Sequence, residues 1–322
     1  MGRKSVKESG LVRKTKKKHR YSDRTNCTSF PENNRVMLIG GSDFDGLKDV
    51  EIVDLSGKSC FKPPPLPLKS QYAIGAYVAG KAITCGGYNT QCFYFDFQKR
   101  QWVETVGLDY ERRLAISLVM DNQTWWIAGG TGSATETTSL IYDGNSFTPG
   151  PVIPQMVNGA CAAKINNTAI FVAGGYRNGG YLTYTYIMEW PSGRVTELDD
   201  MTTGREYSTC NIVGNQVMVV GGSGFSGNLD STEIFDLSTL SWSIGPGIPQ
   251  ESDGFLTKST SVPSTETFRL FGGRDYIGLS NKIFEFVDSG EDFGWKLLNQ
   301  RLEHPRASHV AIPLPEDDDL YC

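Results

Sequence analysis

Short apolar runs alternate with turn-forming residues along the chain, and one combination recurs six times. Each time, apolar or β-branched residues run directly into two adjacent glycines, as in VMVVGG, which ends at Gly221 and Gly222. Glycine weakens the interior of a strand, so a glycine pair that always follows the apolar run indicates a special backbone requirement at the end of that strand. The first glycines of the six pairs are Gly40, Gly86, Gly129, Gly174, Gly221 and Gly272.

The spacing of the pairs defines a repeat with further strands in register. Successive first glycines are 46, 43, 45, 47 and 51 residues apart, a period typical of propeller blades with one four-stranded sheet each. An apolar or aromatic run closed by an acid follows every pair and predicts a third strand. These acids are Asp54, Asp96, Asp143, Glu189, Asp236 and Glu285. A weaker fourth strand is marked by Cys60, Trp102, Phe147, Val195, Trp242 and Trp295.

The first strand of a repeat is a short alternating run ahead of the glycine pair, such as AISLV after Arg113 or STCNIV after Arg205. The first repeat lacks this run, because RVMLIGG opens it directly. A surplus first-strand pattern, RASHVAIPL, follows the sixth repeat from Arg306. We therefore expect the C-terminal strand to join the first blade, which closes the ring and removes exposed sheet edges.

These in-register motifs resemble the kelch repeat, and the resemblance covers residues 35–315. It implies an all-β fold, a six-bladed kelch β-propeller with four antiparallel strands per blade. In such a ring the glycines let the backbone bend and approach its neighbours. Trp102, Trp242 and Trp295 would fill the gaps between adjacent blades. Acids such as Asp54 and Asp236, each followed by a serine two residues later, suit turns rather than catalysis.

Charge is distributed unevenly along the chain. Residues 1–34 carry a net charge of +7 and the rest −12, so we expect a basic, disordered N-terminal tail. Its run RKTKKKHR is typical of nuclear-import or anion-binding patches, and a solvated tail without function is the alternative. Weak tail contacts are the only nucleic-acid binding expected. Residues 316–322 form an acidic C-terminal tail.

Cysteine usage and hydropathy bear on the compartment. Cys85, Cys161 and Cys210 fall in predicted strands, where we expect buried free thiols of a protein in a reducing compartment. No apolar run approaches the ~18 residues needed to cross a membrane, so no membrane insertion is expected. The sequence thus favours a cytoplasmic or nuclear protein. Asn-X-Thr sequons at Asn26 and at two predicted turns, Asn122 and Asn166, keep a secreted protein open as the alternative.

Catalytic chemistry finds little support in the sequence. The resemblance includes enzymes, such as copper- and iron-dependent kelch proteins and a sugar mutarotase, but metal sites need imidazole ligands. The chain has only three histidines, His19, His304 and His309, without ligand spacing. No phosphate loop or nucleophile elbow is present. We expect no metal and no cofactor. A carbohydrate-active or isomerase-type enzyme with a pocket in the central channel is the alternative function.

The resemblance favours a non-enzymatic protein-interaction module, an adaptor or substrate-recognition scaffold. In kelch substrate receptors the partner binds the face formed by the loops after the glycines and the loops leading into the first strands. The matching residues here are Tyr88, Tyr176 and Arg274 after the glycines, and Arg113, Arg205 and Arg306 before the first strands. Thirty-four residues cannot contain the BTB domain of cullin receptors, so this chain alone is not expected to recruit a cullin.

The arginines suggest the chemistry of the partner. Arg113, Arg205 and Arg306 could converge at one channel mouth, where bidentate hydrogen bonds would favour an acidic or phosphorylated peptide. The alternative is that each arginine pairs with an acid of a neighbouring blade and has a purely structural role. The sequence leaves both interpretations open.

Overall fold

The computed structural model describes residues 34–42, 46–131, 137–154, 158–249, 260–261, 267–274, 278–290, 292–316 and 321. The N-terminal tail lies outside these residues except for Asn34, and of the C-terminal tail only Glu316 and Tyr321 are described. In the described part the chain forms strands and turns and no multi-residue helix, as expected for an all-β protein.

Twenty-seven strands are formed by these residues. They are β1 (Arg35–Ile39), β2 (Val50–Asp54), β3 (Ala73–Val78), β4 (Lys81–Gly86), β5 (Cys92–Asp96), β6 (Gln101–Thr105), β7 (Ile116–Asp121), β8 (Thr124–Ala128), β9 (Ser139–Tyr142), β10 (Phe147–Pro149), β11 (Cys161–Asn166), β12 (Ala169–Ala173), β13 (Tyr176–Arg177), β14 (Gly180–Tyr181), β15 (Thr185–Glu189), β16 (Val195–Glu197), β17 (Thr209–Val213), β18 (Gln216–Val220), β19 (Ser223–Gly224), β20 (Gly227–Asn228), β21 (Thr232–Asp236), β22 (Ser241–Gly245), β23 (Thr260–Ser261), β24 (Phe268–Phe271), β25 (Lys282–Asp288), β26 (Phe293–Arg301) and β27 (Val310–Pro313).

The strands form six antiparallel blades of a propeller. Blade 1 is β27-β1-β2, blade 2 is β3 to β6, and blade 3 is β7 to β10. Blades 4 and 5 are β11-β12-β15-β16 and β17-β18-β21-β22, and blade 6 is β23 to β26. Two short hairpins, β13-β14 and β19-β20, rise from the loops that follow the glycine pairs of blades 4 and 5. The predicted six-bladed propeller is confirmed.

Ring closure follows the predicted register. The C-terminal strand β27 pairs antiparallel with β1, with Val36 opposite Pro313 and Ile39 opposite Val310. Blade 1 is therefore built from both ends of the propeller, and its innermost strand comes from the end of the chain.

Blade 1 departs from the four-strand prediction. Its described residues form three strands, and the segment around Cys60, expected to be the fourth strand, forms none. The reason lies in the prolines at 63–65 and 67, which lack the N–H groups that a strand ladder needs. Tyr321 covers part of this blade, because it is 1 % exposed, stacks edge-on against Phe97, and accepts a hydrogen bond from the Phe61 amide at 3.2 Å.

The glycine pairs occupy a backbone conformation that other residues rarely adopt. Both glycines of all six pairs have positive φ. A Cβ on Gly174 would lie 2.6 Å from the carbonyl oxygen of Arg205 in the next blade, and the Gly175 amide donates to that same oxygen at 2.8 Å. The pair is thus required both by its left-handed φ and by the close approach of the neighbouring blade.

A belt of backbone hydrogen bonds links the blades near the axis. Each link joins the residues just before two consecutive innermost strands. Tyr72 donates to Ser308, Leu114 to Tyr72, Gly159 to Leu114 and Tyr207 to Gly159, at 2.8–3.3 Å. The four non-glycine donors and acceptors, Tyr72, Leu114, Tyr207 and Ser308, all have φ of 55–61°. A non-glycine residue in left-handed backbone costs about 1 kcal/mol or more of folding free energy. The belt is therefore strained, and the hydrogen bonds between the blades hold it in place.

Apolar side chains fill the gaps between adjacent blades. Trp242 packs against Phe235 of its own blade and Phe171 of blade 4, with ring centroids 5.1 and 6.0 Å away. Trp102 packs into the cluster shared by blades 1 and 2, and Trp295 into that shared by blades 5 and 6. The predicted role of the three tryptophans between blades is confirmed.

Asp54 and Asp236, which end third strands, build turns, as predicted. The Oδ1 of Asp54 accepts from the amide of Ser56 at 2.7 Å. The Oδ1 of Asp236 accepts from the amides of Ser238 and Thr239 at 2.8 and 2.9 Å. These carboxylates cap backbone donors at the β-turns and serve the fold.

The expectation of free buried thiols is wrong. Cys85 and Cys92 form a disulfide between paired residues of β4 and β5. Cys161 and Cys210, with Cα atoms 5.7 Å apart, form a disulfide that joins the innermost strands of blades 4 and 5. Cys60 is also disulfide-bonded. The sequence pattern placed these cysteines in strands but could not show which strands lie side by side.

The closure of the ring predicts the effect of shortening a β27 side chain. Ile312 is fully buried and lies opposite Met37 of β1, so Ile312→Ala should lower the free energy of unfolding by about 2–5 kcal/mol. Ile244, 81 % exposed on β22, is the matched control, and Ile244→Ala should change stability by less than about 0.5 kcal/mol. Urea denaturation of the three proteins measures both values. Equal losses for the two variants would contradict the register of β27.

The disulfide between blades predicts a second change in stability. Cys161 and Cys210 close a loop with a sequence separation of 49 residues, for which chain-entropy arguments give about 4 kcal/mol of stabilisation. Cys161→Ser should therefore unfold at a lower urea concentration than the oxidised wild-type protein. Reduction with dithiothreitol should lower wild-type stability while changing the variant less. A variant as stable as the oxidised wild type would show that the two blades are held together without this bond.

Candidate functional site

One face of the ring collects the loops that the sequence analysis singled out. The residue after a glycine pair lies beside the residue that precedes an innermost strand, as shown by the isolated bridges Arg113–Thr131 and Glu206–Ser223. The amide of Tyr176 donates to the carbonyl of Asn158 in the same way, at 2.8 Å. We call this the loop face. The turns between first and second strands lie on the opposite face, because successive strands of a blade alternate in direction.

Tyrosines cover the channel mouth on the loop face. Tyr72 precedes blade 2 and Tyr207 precedes blade 5, three blades away, so they face each other across the axis. Their rings stack with centroids 6.4 Å apart and planes 25° from parallel. Tyr88, 55 % exposed, meets Tyr72 edge-on at 6.1 Å. The guanidinium of Arg113 lies 4.7 Å from the centre of the Tyr88 ring. We call these four residues the tyrosine cluster.

The surroundings of the cluster change the acidity of one tyrosine, Tyr207. Partial burial, with a smaller contribution from Glu206, raises the pKa of Tyr207 well above its usual value, so this phenol stays protonated at physiological pH. The Nε of Arg113 is buried, and among the described residues no hydrogen bond or ion pair involves the Arg113 guanidinium. The guanidinium packs on the face of Tyr88, a cation–π interaction that leaves its two Nη groups without a described hydrogen-bond partner.

The two hairpins extend the aromatic surface beyond the cluster. Tyr176 and Tyr181, paired across β13-β14, contact each other edge-on at 5.3 Å. Phe225, at the tip of the β19-β20 hairpin, is 97 % exposed. Single exposed apolar side chains are common on protein surfaces, but a group of them on one face is typical of an interaction site.

Arg205 and Arg306 are placed differently from Arg113. Both are 0 % exposed. The Nη1 of Arg205 donates to the carbonyls of Gly221 and Ser231 at 2.9 and 3.1 Å. The Nη1 of Arg306 donates to those of Gly40 and Asp49 at 3.0 and 3.2 Å. In each case the arginine binds the first glycine of its blade and the residue ahead of the third strand, so it fixes the two ends of the loop.

Buried glutamates balance these two arginines. Arg205 forms an ion pair with Glu233 at 2.7 Å, and Arg306 lies 2.9 Å from Glu51. Burial lowers the pKa of both guanidiniums, and the glutamates oppose that shift. The other carboxylate oxygen of Glu233 accepts from the Thr202 amide at 2.7 Å, in the segment that arrives from the preceding blade.

Their burial favours the interpretation that Arg205 and Arg306 have a structural role. The expectation that each pairs with an acid of a neighbouring blade is wrong. The acid belongs to the arginine's own blade rather than to a neighbouring one, because Glu51 lies in β2 of blade 1 and Glu233 in β21 of blade 5. The partner-binding role of Arg205 and Arg306 stays a prediction. Arg274 lies on the loop face, where it bridges to Leu279.

The buried arginine of blade 3 is Arg112, one residue before the predicted Arg113. It is 0 % exposed, and its Nη1 donates to the carbonyls of Gly129 and Thr138 at 3.1 and 3.2 Å. Its acid is Asp109, at 3.1 Å. Arg112, Arg205 and Arg306 thus hold equivalent positions. Arg113 is the next residue along the chain, and its side chain is partly exposed.

Sequence reasoning missed Tyr72, Tyr181, Tyr207 and Arg112. A usable signal was present for some of them. Ser70 and Arg205 hold equivalent positions ahead of a first strand, and a tyrosine follows each of them two residues later, Tyr72 and Tyr207. The blades that begin with Arg205 and Arg306 also share a glutamate at the second position of the third strand, in TEIFD and VEIVD. That pairing within repeats indicates an internal ion pair.

Metal binding and acid–base catalysis find no site among the described residues. These residues contain no group of three or more His, Cys, Asp or Glu side chains that could hold a metal ion. A shallow pocket lined by Leu66, Ser70, Gly86 and Phe93 includes Lys69 but no carboxylate, and so does not supply an acid–base pair. In the part of the chain that the structure describes, no helix has both the length and the apolar character needed to cross a membrane.

The geometry of Arg205 predicts a loss of stability on substitution. Arg205→Ala would leave Glu233 buried without its cation and should lower the free energy of unfolding by about 3–5 kcal/mol. Arg113→Ala is the matched control and should change stability by less than about 1 kcal/mol, since its guanidinium is not ion-paired. Urea unfolding of both variants tests the difference. Wild-type stability of Arg205→Ala would contradict the structural role of Arg205 and favour its predicted role in partner binding.

Comparison with known families agrees with the repeat architecture. The family model of the kelch motif matches residues 204–249, which comprise the segment from Gly204 through blade 5. A comparison with curated proteins finds no match. The matched segment includes the buried Arg205, the Gly221–Gly222 pair and Trp242, and the glycine pair recurs in all six blades. The chain forms a six-bladed β-propeller, and its blade 5 matches the kelch motif.

Proposed function

We propose that this propeller is a non-enzymatic protein-interaction module that binds a peptide segment of a partner protein at the tyrosine cluster. The observation that carries the proposal is the arrangement of Tyr72, Tyr88 and Tyr207 around the axis, with the guanidinium of Arg113 against Tyr88. Tyrosine and arginine dominate the energetic centres of protein interfaces, because they combine large apolar area with directional donors.

Stacking across the axis supports surface binding over catalysis in the channel. Tyr72 and Tyr207 lie 6.4 Å apart between ring centroids, so their side chains occupy the mouth through which a small substrate would enter from the loop face. A peptide can instead lie across the rings and reach Tyr176 and Phe225 on the neighbouring hairpins. The left-handed belt beneath the tyrosines holds them in place, which reduces the entropy lost on binding.

Arg113 selects the charge of the partner. Its guanidinium has donors that are not used by an acid among the described residues, and burial keeps the phenol of Tyr207 protonated. A carboxylate or phosphate of the partner could accept two parallel hydrogen bonds from it. We therefore propose an acidic or phosphorylated peptide with an apolar or aromatic neighbour that packs on Tyr88. The adaptor or scaffold role follows from this binding activity.

The cluster predicts a specific loss of binding. Peptides selected from a displayed random library on the wild-type protein should carry acidic residues, and their affinity should fall as salt rises. Tyr88→Ala and Arg113→Ala should each weaken these peptides by on the order of tenfold or more, which corresponds to loss of one aromatic contact or one charged hydrogen bond. Fluorescence anisotropy with labelled peptides measures the dissociation constants.

A matched control separates binding from folding. Phe293, 53 % exposed at the start of β26, lies on the face opposite to the loop face, and Phe293→Ala should bind the peptides as wild type does. Thermal melting of all three variants should stay close to wild type because the altered side chains are solvent-exposed or free of ion pairs. Peptides that bind Tyr88→Ala with wild-type affinity, or a selection that yields no ligand, would contradict the proposal.

A further inference from the structure

The turn between β7 and β8 presents an asparagine that the fold does not use. Asn122, Gln123 and Thr124 form an Asn-X-Thr sequon, and Asn122 is exposed at the tip of this turn. The turn is capped by the preceding residue, because the Oδ1 of Asp121 accepts from the Gln123 amide at 2.8 Å. The backbone carbonyl of Asn122 accepts from Ala79 of blade 2 at 2.7 Å, but no described hydrogen bond involves its side-chain amide.

The sequon at Asn166 differs in this respect and serves as a contrast. There the asparagine itself caps the turn, since its Oδ1 accepts from the amide and hydroxyl of Thr168 at 2.8 and 2.9 Å. Turn formation alone accounts for the asparagine and threonine of that site. It does not account for the side chain of Asn122, so of the two sequons within the described residues this one requires another explanation.

The disulfides supply the independent observation. Disulfides form and persist in oxidising compartments, and those of Cys85–Cys92 and Cys161–Cys210 lie inside the propeller, one within a blade and one between blades. A chain folded with these bonds in a eukaryotic cell passes through the compartment in which Asn-X-Thr sequons are modified. The two disulfides therefore favour the secreted alternative over the cytoplasm or nucleus, independently of the proposed binding function.

We propose that Asn122 carries an N-linked glycan. In the transfer, the Nδ2 of Asn122 forms a bond to the anomeric carbon of an oligosaccharide held on a lipid pyrophosphate. The bond between that carbon and the pyrophosphate oxygen breaks, the lipid pyrophosphate leaves, and the amide loses one proton. No oxidation or reduction is involved. The acceptor lies on the face opposite to the tyrosine cluster, because it sits in a turn between first and second strands.

The position of the glycan has a consequence for the molecule. A hydrated oligosaccharide at the β7–β8 turn would cover the face opposite to the loop face and leave the loop face open. It would also lie over the contact between Ala79 and Asn122 that joins blades 2 and 3. The propeller would then have one face for a partner and one face that is shielded from proteins.

The test begins with protein isolated from its natural source. Digestion with peptide N-glycosidase in water labelled with heavy oxygen converts a glycosylated asparagine into a labelled aspartate. We expect the label in the peptide that contains Asn122. Asn145, exposed in the turn before β10 and outside any sequon, is the internal control and should stay unlabelled. An unlabelled Asn122 overturns the proposal.

Variants of the full chain give a second, independent test. The wild-type chain, Asn122→Gln and Thr124→Ser are expressed behind an added secretory leader in eukaryotic cells, and their gel mobility is compared before and after the glycosidase. Thr124→Ser keeps the sequon and should retain the glycosidase-sensitive mass. Asn122→Gln should lose one glycan's mass relative to wild type, while it is secreted and folded. Equal mobility of wild type and Asn122→Gln overturns the proposal.

Discussion

Two consecutive left-handed residues at the end of each second strand are the constraint on which the ring depends. Only glycine adopts this backbone without strain, and at Gly174 and Gly272 a Cβ would lie 2.6 and 2.4 Å from a carbonyl oxygen of the next blade. The same carbonyls, of Arg205 and Arg306, accept hydrogen bonds from Gly175 and Gly273 at 2.8 Å. A substituent at these positions would therefore push two blades apart and remove the bond that joins them. This explains why the pair is present in all six repeats.

The buried arginines extend this contact into the blades. Arg205 contributes its carbonyl to the preceding blade and its guanidinium to the first glycine of its own blade, so a single residue fixes two consecutive glycine turns. Its charge is balanced by Glu233, which also holds the segment arriving from the preceding blade. Removing either partner would leave the other charge buried and unpaired. The resulting loss of stability is larger than the contribution of a typical exposed ion pair. The buried arginines therefore anchor both ends of the loops that project from the rim.

The proposed functions divide between the two faces of this rigid ring. The belt of hydrogen bonds from Ser308 through Tyr72 to Tyr207 brings side chains from opposite blades within ring-stacking distance. That surface combines aromatic area with the guanidinium of Arg113, whereas the opposite face presents short capped turns, among them the Asn122 sequon. A partner on one face and a glycan on the other would not compete for space. The arrangement follows from strand direction alone, since glycine loops and first-to-second-strand turns lie at opposite ends of each blade.

The sequence by itself determined the repeat, the number of blades, the four strand types, the closing strand and the turn role of acids such as Asp236, because each depends on local periodicity or on residues close in the chain. Only the tertiary structure decided which side chains meet across the ring. The pairing of Cys161 with Cys210 and the stacking of Tyr72 on Tyr207 depend on where separate blades place their residues. The burial of Arg112 rather than Arg113 depends on the path of the loop that leads into blade 3. A shift of one residue at the start of a strand turns a buried arginine into a surface one, and no pattern within a single repeat specifies that shift.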